Sequence, residues 1–111
     1  MLSFKEFFTG NIRIWLDDLR PIQKDYNYHA KTAKEAITKL KTGNVTHISF
    51  DHDLGPEDSG VGTGYEVATW IEEAAFKKRI PKLDWQIHSA NPVGAKNISR
   101  AMQSAARFWS R

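Results

Sequence analysis

The chain has 111 residues, a formal net charge of +3, 41% hydrophobic residues and no cysteine. A length of this order holds one small domain, expected over residues 1–111, with a modest core. The missing thiol excludes disulfides, thiolate metal sites and cysteine nucleophiles, and the mild positive balance, with no Lys/Arg block, suits an anionic ligand without by itself indicating nucleic acid.

The opening Met1-Leu2-Ser3-Phe4-Lys5-Glu6-Phe7-Phe8 lacks the apolar stretch of a signal peptide, and no run approaches membrane-spanning length. The expectation is a cytoplasmic protein with no membrane partner. Ile12-Arg13-Ile14-Trp15-Leu16 reads as a first strand that ends in Asp17-Asp18. Asp18-Leu19-Arg20-Pro21-Ile22 is a loop or a single helical turn, and Tyr26-Asn27-Tyr28-His29-Ala30 a short second strand. Thr32-Ala33-Lys34-Glu35 is a capping box. The helix it opens presents Ala33, Ala36, Ile37 and Leu40 on one face and stops at Gly43.

Val45-Thr46-His47-Ile48-Ser49-Phe50 reads as a third strand, ending in Asp51-His52-Asp53. A Gly-rich, acidic loop from Leu54 to Gly62 leads to a helix from about Thr63 to Lys78, with Gly64, Val67, Ala68, Ile71 and Ala75 on one stripe. Pro81 closes the turn to a fourth strand, Leu83-Asp84-Trp85-Gln86-Ile87, which ends in His88-Ser89-Ala90-Asn91. Asn91 is an N-cap with Pro92 at the first helical position, opening a last helix that buries Ile98, Ala101, Met102 and Ala105.

Strand and helix alternate, which predicts an α/β fold with a parallel sheet and right-handed crossovers. The connection from Asp17 to Asp25 is too short for a crossover helix, and no fifth strand follows the last helix. One sheet face is therefore short of cover. Phe4, Phe7, Phe8, Phe108 and Trp109 are the spare apolar residues for it, and a homodimer contact is the other way to hide it.

If the first and third strands are parallel neighbours, Asp17, Asp18, Asp51 and Asp53 converge at the sheet edge where open α/β sheets bind ligands. Such crowding raises carboxylate pKa values unless a cation shares the charge. The Asp/Asn-Gly pair and distant glutamate of a calcium loop are absent in register, so Mg²⁺ or Mn²⁺ held by Asp17, Asp18 and Asp51 fits better. His52 and His88 beside carboxylates suit general acid–base work, because imidazole titrates near neutrality and a carboxylate fixes its tautomer. Asp53 belongs with them. Ser89, Asn91 and Lys96 are the candidate substrate contacts, and the helix end that Asn91 opens attracts phosphate.

The bland alternatives are specific. Asp17-Asp18 could be turn chemistry, Asn91 only a cap, and Ser89 a strand-end residue. His29 and His47 read as structural, Arg100 and Arg107 as a solvated face, and the tryptophans as core. The Gly-rich loop lacks the Walker lysine and serine, so it reads as a lid and not a P-loop.

Asp17-Asp18, Asp51, Pro56, Gly64-Tyr65-Glu66 and Ser89-Ala90, in this order, resemble the receiver domain of two-component signalling over roughly residues 11–105. The receiver lysine closing strand five has no counterpart. Asp51-His52-Asp53-Leu54 and His88-Ser89-Ala90-Asn91 resemble more specifically the cyclic-phosphate processing receiver domains. The resemblance implies a minimal receiver-like (flavodoxin-like) three-layer fold, strand order 2-1-3-4, with the first crossover helix reduced and the fifth strand absent. It further implies a metal-assisted phosphodiesterase-type hydrolase acting on an anionic small-molecule ligand: a cyclic phosphate of a nucleotide, a nucleotide derivative or an RNA end. The rival is a non-catalytic receiver-like signalling or cyclic-nucleotide-binding module.

Overall fold

The computed structural model describes residues 11–111. Its elements run β1 (Ile12–Leu16), β2 (Tyr28–Ala30), α1 (Ala33–Leu40), β3 (Val45–Phe50), a 3₁₀ turn (Glu57–Ser59), α2 (Gly64–Phe76), β4 (Asp84–Ile87) and α3 (Pro92–Trp109). The four strands form one parallel sheet in the order β2-β1-β3-β4, the order that the receiver resemblance implies. Among the described residues no helix is long and apolar enough to cross a membrane.

Local chemistry sets the helix starts. Thr32, Thr63 and Asn91 each lie in extended backbone and accept a hydrogen bond from the amide three residues on, at Glu35, Glu66 and Gly94. Each satisfies one of the orphan donors of a first turn. The predicted stripes are buried: Ala33, Ala36 and Leu40 of α1, Gly64, Val67, Ala68, Ile71 and Ala75 of α2, and Ile98, Ala101, Met102 and Ala105 of α3. Ile37 is only half-buried.

Register assigns the sheet faces. Tyr28, Ile14, Ile48 and Trp85 stand side by side, as do Ala30, Leu16, Phe50 and Ile87. This apolar face joins the core shared with all three helices, and α2 packs between α1 and α3. The opposite face carries Arg13, Trp15, His29, His47, Ser49 and Gln86, by strand alternation.

No helix connects β1 to β2, so the segment after Asp18 covers the polar face itself. Trp15, 4% exposed, meets the Tyr26 ring at 5.4 Å and donates from Nε1 to the Arg20 carbonyl. The expected cover by Phe108 and Trp109 is corrected here: both lie with the helices. Helix α3 runs on to Trp109, which places Phe108 edge-on to Phe76 at 5.1 Å and lets Trp109 Nε1 donate to the Ile80 carbonyl. Phe4, Phe7 and Phe8 lie outside the described residues.

Candidate functional site

Asp17, Asp51 and His88 each occupy the first position past a strand, and the ladder holds all three. Their amides donate to the carbonyls of Ala30, Leu16 and Phe50 at 3.0, 2.9 and 2.9 Å. Since Leu16, Phe50 and Ile87 face the core, the next residues turn to the polar side together. Three chemically active side chains are thereby set on one side of the carboxyl edge.

Asp17 anchors this group and is 1% exposed. Its Oδ1 accepts from the amides of Leu19 and Arg20, both at 2.8 Å, which makes the tight turn out of β1. Its Oδ2 accepts from His88 Nε2 at 2.9 Å and lies 3.6 Å from the Arg20 guanidinium. Burial on its own would raise the Asp17 pKa, but the two amides and His88 outweigh it and hold the carboxyl below 3.8. Turn chemistry and site chemistry coincide in one residue.

His88 is fixed from every side. Nδ1 lies 2.7 Å from Ser49 Oγ, and the ring stacks on Trp15 with centroids 3.9 Å apart and planes within 3°. Arg20 donates to the His88 carbonyl at 2.7 Å. Burial holds the imidazole pKa below its ordinary value against the upward pull of Asp17 and Asp51. A neutral ring facing an acceptor-only carboxylate carries its proton on Nε2, so Nδ1 accepts from the Ser49 hydroxyl. Both nitrogens of His88 are therefore engaged within the protein.

His52 differs. Its Nδ1 lies 2.9 Å from Asp53 Oδ1, and the Asp53 pKa is lowered chiefly by that bond. Asn91 Nδ2 donates to Asp53 Oδ2 at 3.3 Å while its Oδ1 caps Gly94. The His52 ring rests on Gly94, where any Cβ would fall on the ring atoms. Nε2 has no hydrogen-bond partner among the described residues. The imidazole is thus oriented at one nitrogen and available at the other.

Asp17, Asp18 and Asp51 each offer an oxygen, and these lie within 4.8 Å of one another. Asp18 Oδ1 is buried with no hydrogen-bond partner among the described residues. A buried carboxylate oxygen left unsatisfied is costly, and a cation resolves that cost. Asp51 accepts from the His52 amide at 2.9 Å, and its pKa is pushed up by burial and then by the Asp17 charge. The donor set is all oxygen and rich in charge, which fits Mg²⁺ or Mn²⁺.

Of the other predicted residues, Ser89 is half-buried and its Oγ accepts from the Asn91 amide at 3.0 Å, so it shapes the turn into α3. Lys96 is exposed, two residues past Gly94 and therefore about 200° round the helix from the face that meets His52. It is not brought to the carboxylates. The sequence gives Ser49 and Arg20 no part in the site and reads Trp15 only as core, whereas all three contact His88. Ser49 carried a signal, a lone hydroxyl two positions before Asp51 on the same strand face.

A family model described as cyclic-phosphate processing receiver domain matches residues 12–104. No curated protein and no solved structure matches.

Proposed function

Because the chain belongs to the cyclic-phosphate processing receiver domain family, we propose that it hydrolyses a cyclic phosphodiester carried by a nucleotide or nucleotide derivative. The observation that carries this reading is His52: an imidazole pinned through Nδ1 to Asp53, unbonded at Nε2 among the described residues, and next in sequence to Asp51 of the carboxylate cluster. Simple binding of an anion does not require such a dyad.

A divalent cation held by Asp17, Asp18 and Asp51 would supply charge neutralisation for the phosphate oxygens. The chain's own residues do the rest. Asp53 keeps the His52 proton on Nδ1, leaving the Nε2 lone pair as the base. His52 Nε2 takes a proton from water as the water oxygen bonds to phosphorus. One ring P–O bond breaks, and the proton returns to the departing ester oxygen, giving a phosphomonoester beside a free hydroxyl. Asn91 steadies Asp53 and caps the first turn of α3, taking up the Gly94 and Ala95 amides.

His88 acts as a positioning residue in this scheme. It locks Asp17 through Nε2, and Ser49 and Trp15 lock it in turn. From the sequence either His52 or His88 suits the proton shuttle; with both nitrogens of His88 engaged, His52 takes that role.

The test is phosphorus NMR of cyclic nucleotides incubated with the full chain and Mg²⁺ or Mn²⁺. The expected result is replacement of the cyclic diester resonance by a monoester resonance, dependent on His52. Demonstrated binding with every ligand recovered intact would overturn hydrolysis and favour a binding module.

A further inference from the structure

The turn out of β1 carries a cation that has no part in the proton transfer. Arg20 is pinned along its backbone: its amide donates to Asp17 Oδ1 at 2.8 Å, and its carbonyl accepts from Trp15 Nε1 at 3.3 Å. Pro21 follows and restricts the Arg20 backbone further. The side chain reaches the end of β4, where Nη1 donates to the His88 carbonyl at 2.7 Å. The same nitrogen lies 3.6 Å from Asp17 Oδ2, at the end of β1. Since β3 pairs between β1 and β4, the guanidinium spans the end of β3, the strand that leads into Asp51.

Charge and free donors set Arg20 apart. Among the described residues it is the one Lys or Arg that pairs with Asp17, Asp18 or Asp51. Burial and then the Asp17 charge push the Asp51 pKa up, and the Arg20 charge pulls against them. A guanidinium has five N–H donors in one plane. Among the described residues Nη1 alone is engaged, and Nε and Nη2 have no partner. Nε–H and one Nη2–H point the same way, along the edge turned from Nη1, and make the fork that meets two oxygens of a phosphate. The Arg20 side chain is 46% exposed against 1% for Asp17, so it is the member of the pair that a ligand meets. A staple to the His88 carbonyl needs only one donor, which a lysine supplies as well.

Resting on the cyclic-phosphate reading, we propose that Arg20 binds the phosphate of the substrate, its Nε and Nη2 donors taking the two non-bridging oxygens. A phosphodiester spreads one negative charge over those two oxygens, which matches a planar two-donor edge. The three carboxylates repel such an anion, and a fixed cation at their rim offsets that repulsion. As the water oxygen bonds to phosphorus, the non-bridging oxygens gain charge. A guanidinium already held by His88 and Asp17 stabilises them without having to reorganise.

The experiment pairs two measurements on the full chain with Mg²⁺ present: affinity for inorganic phosphate by calorimetry, and turnover of a cyclic nucleotide by phosphorus NMR. Arg20→Gln should weaken phosphate binding roughly 10- to 100-fold, as expected for losing a hydrogen bond to a charged group. It should lower kcat by roughly two to three orders of magnitude. Arg20→Lys controls for a structural role, because it keeps the charge and a donor for the His88 carbonyl. It should melt close to wild type yet recover only part of the phosphate affinity, with kcat still roughly tenfold low or more. Full recovery of affinity and kcat in Arg20→Lys would overturn the inference, as would wild-type phosphate affinity in Arg20→Gln. Phosphate binding that depends on Arg20, with every cyclic nucleotide recovered intact, would keep the contact and remove the hydrolase. Equal turnover in wild type and both variants would keep the hydrolase and remove the contact.

Discussion

His52 and Asp53 are chemically neighbours before they are structural ones, and their pairing yields the sharpest single-residue expectation. His52→Ala should leave the fold intact and lower turnover by roughly two to four orders of magnitude, read by phosphorus NMR at fixed metal. Asp53→Asn should lower it less, because the imidazole stays in place while its tautomer is freed. At the carboxylates, thermal melting should rise on adding Mg²⁺ or Mn²⁺, since a ligand that binds only the folded chain stabilises it. Asp18→Asn with Asp51→Asn should abolish that rise, and an identical rise in the double variant would rule out these residues as the metal's holders. Ser49→Ala belongs to the same scale. It strips the buried His88 Nδ1 of its partner and should cost about 1–3 kcal/mol in denaturant unfolding.

At the scale of elements, the site depends on how closely α2 and α3 approach β3. Gly64 opens α2 so near the Asp51 carbonyl that a Cβ would collide with it, and Gly94 meets the His52 ring in the same way. Inside an exposed helix, Gly→Ala would gain roughly 1 kcal/mol of propensity. At Gly94 the clash wins, because the ring is held by Asp53 and cannot swing aside without losing its bond. Gly94→Ala should therefore cost about 1–3 kcal/mol, the usual penalty of overpacking, and reduce turnover with it. An urea midpoint at or above that of wild type would show that His52 has room to move. Asn91 joins the two elements, capping α3 through one side-chain atom and bonding Asp53 through the other.

Over the whole molecule, the buried titratable groups give stability a pH dependence of known sign. Burial holds the His88 pKa below 6.5 in the folded chain, against the pull of Asp17. The unfolded chain then takes up that proton first as pH falls. His88 thus contributes fully above about 6.5, and its contribution is lost progressively as pH drops from there toward the folded pKa. Asp17, with its pKa lowered below 3.8, contributes above that value and is lost only in stronger acid. Asp51 has the opposite sign: its raised pKa means that ionising it above 3.8 subtracts stability until a cation shares the charge. Metal-free protein should accordingly lose stability as the pH falls below 6.5, and His88→Asn should remove most of that slope. A slope unchanged in His88→Asn would show that another group carries it.

The sequence by itself determined the strand and helix order, the caps at Thr32 and Asn91, and the placement of Asp17, Asp51 and His88 at strand ends. These are local matters of periodicity and hydrogen-bond chemistry, legible within a few residues. Alternation also predicted the parallel sheet, and the resemblance to receiver domains implied its strand order. What only the tertiary structure decided is which groups meet across the strands. Ser49 and His88 are far apart in sequence, and their bond exists because β3 and β4 pair in a particular register. That register engages both nitrogens of His88 and makes it an anchor for Asp17, while a glycine on α3 leaves His52 oriented with one nitrogen free. Two histidines alike in the sequence part company for that reason: strand pairing engages both nitrogens of one ring, and the other bonds through Nδ1 alone among the described residues.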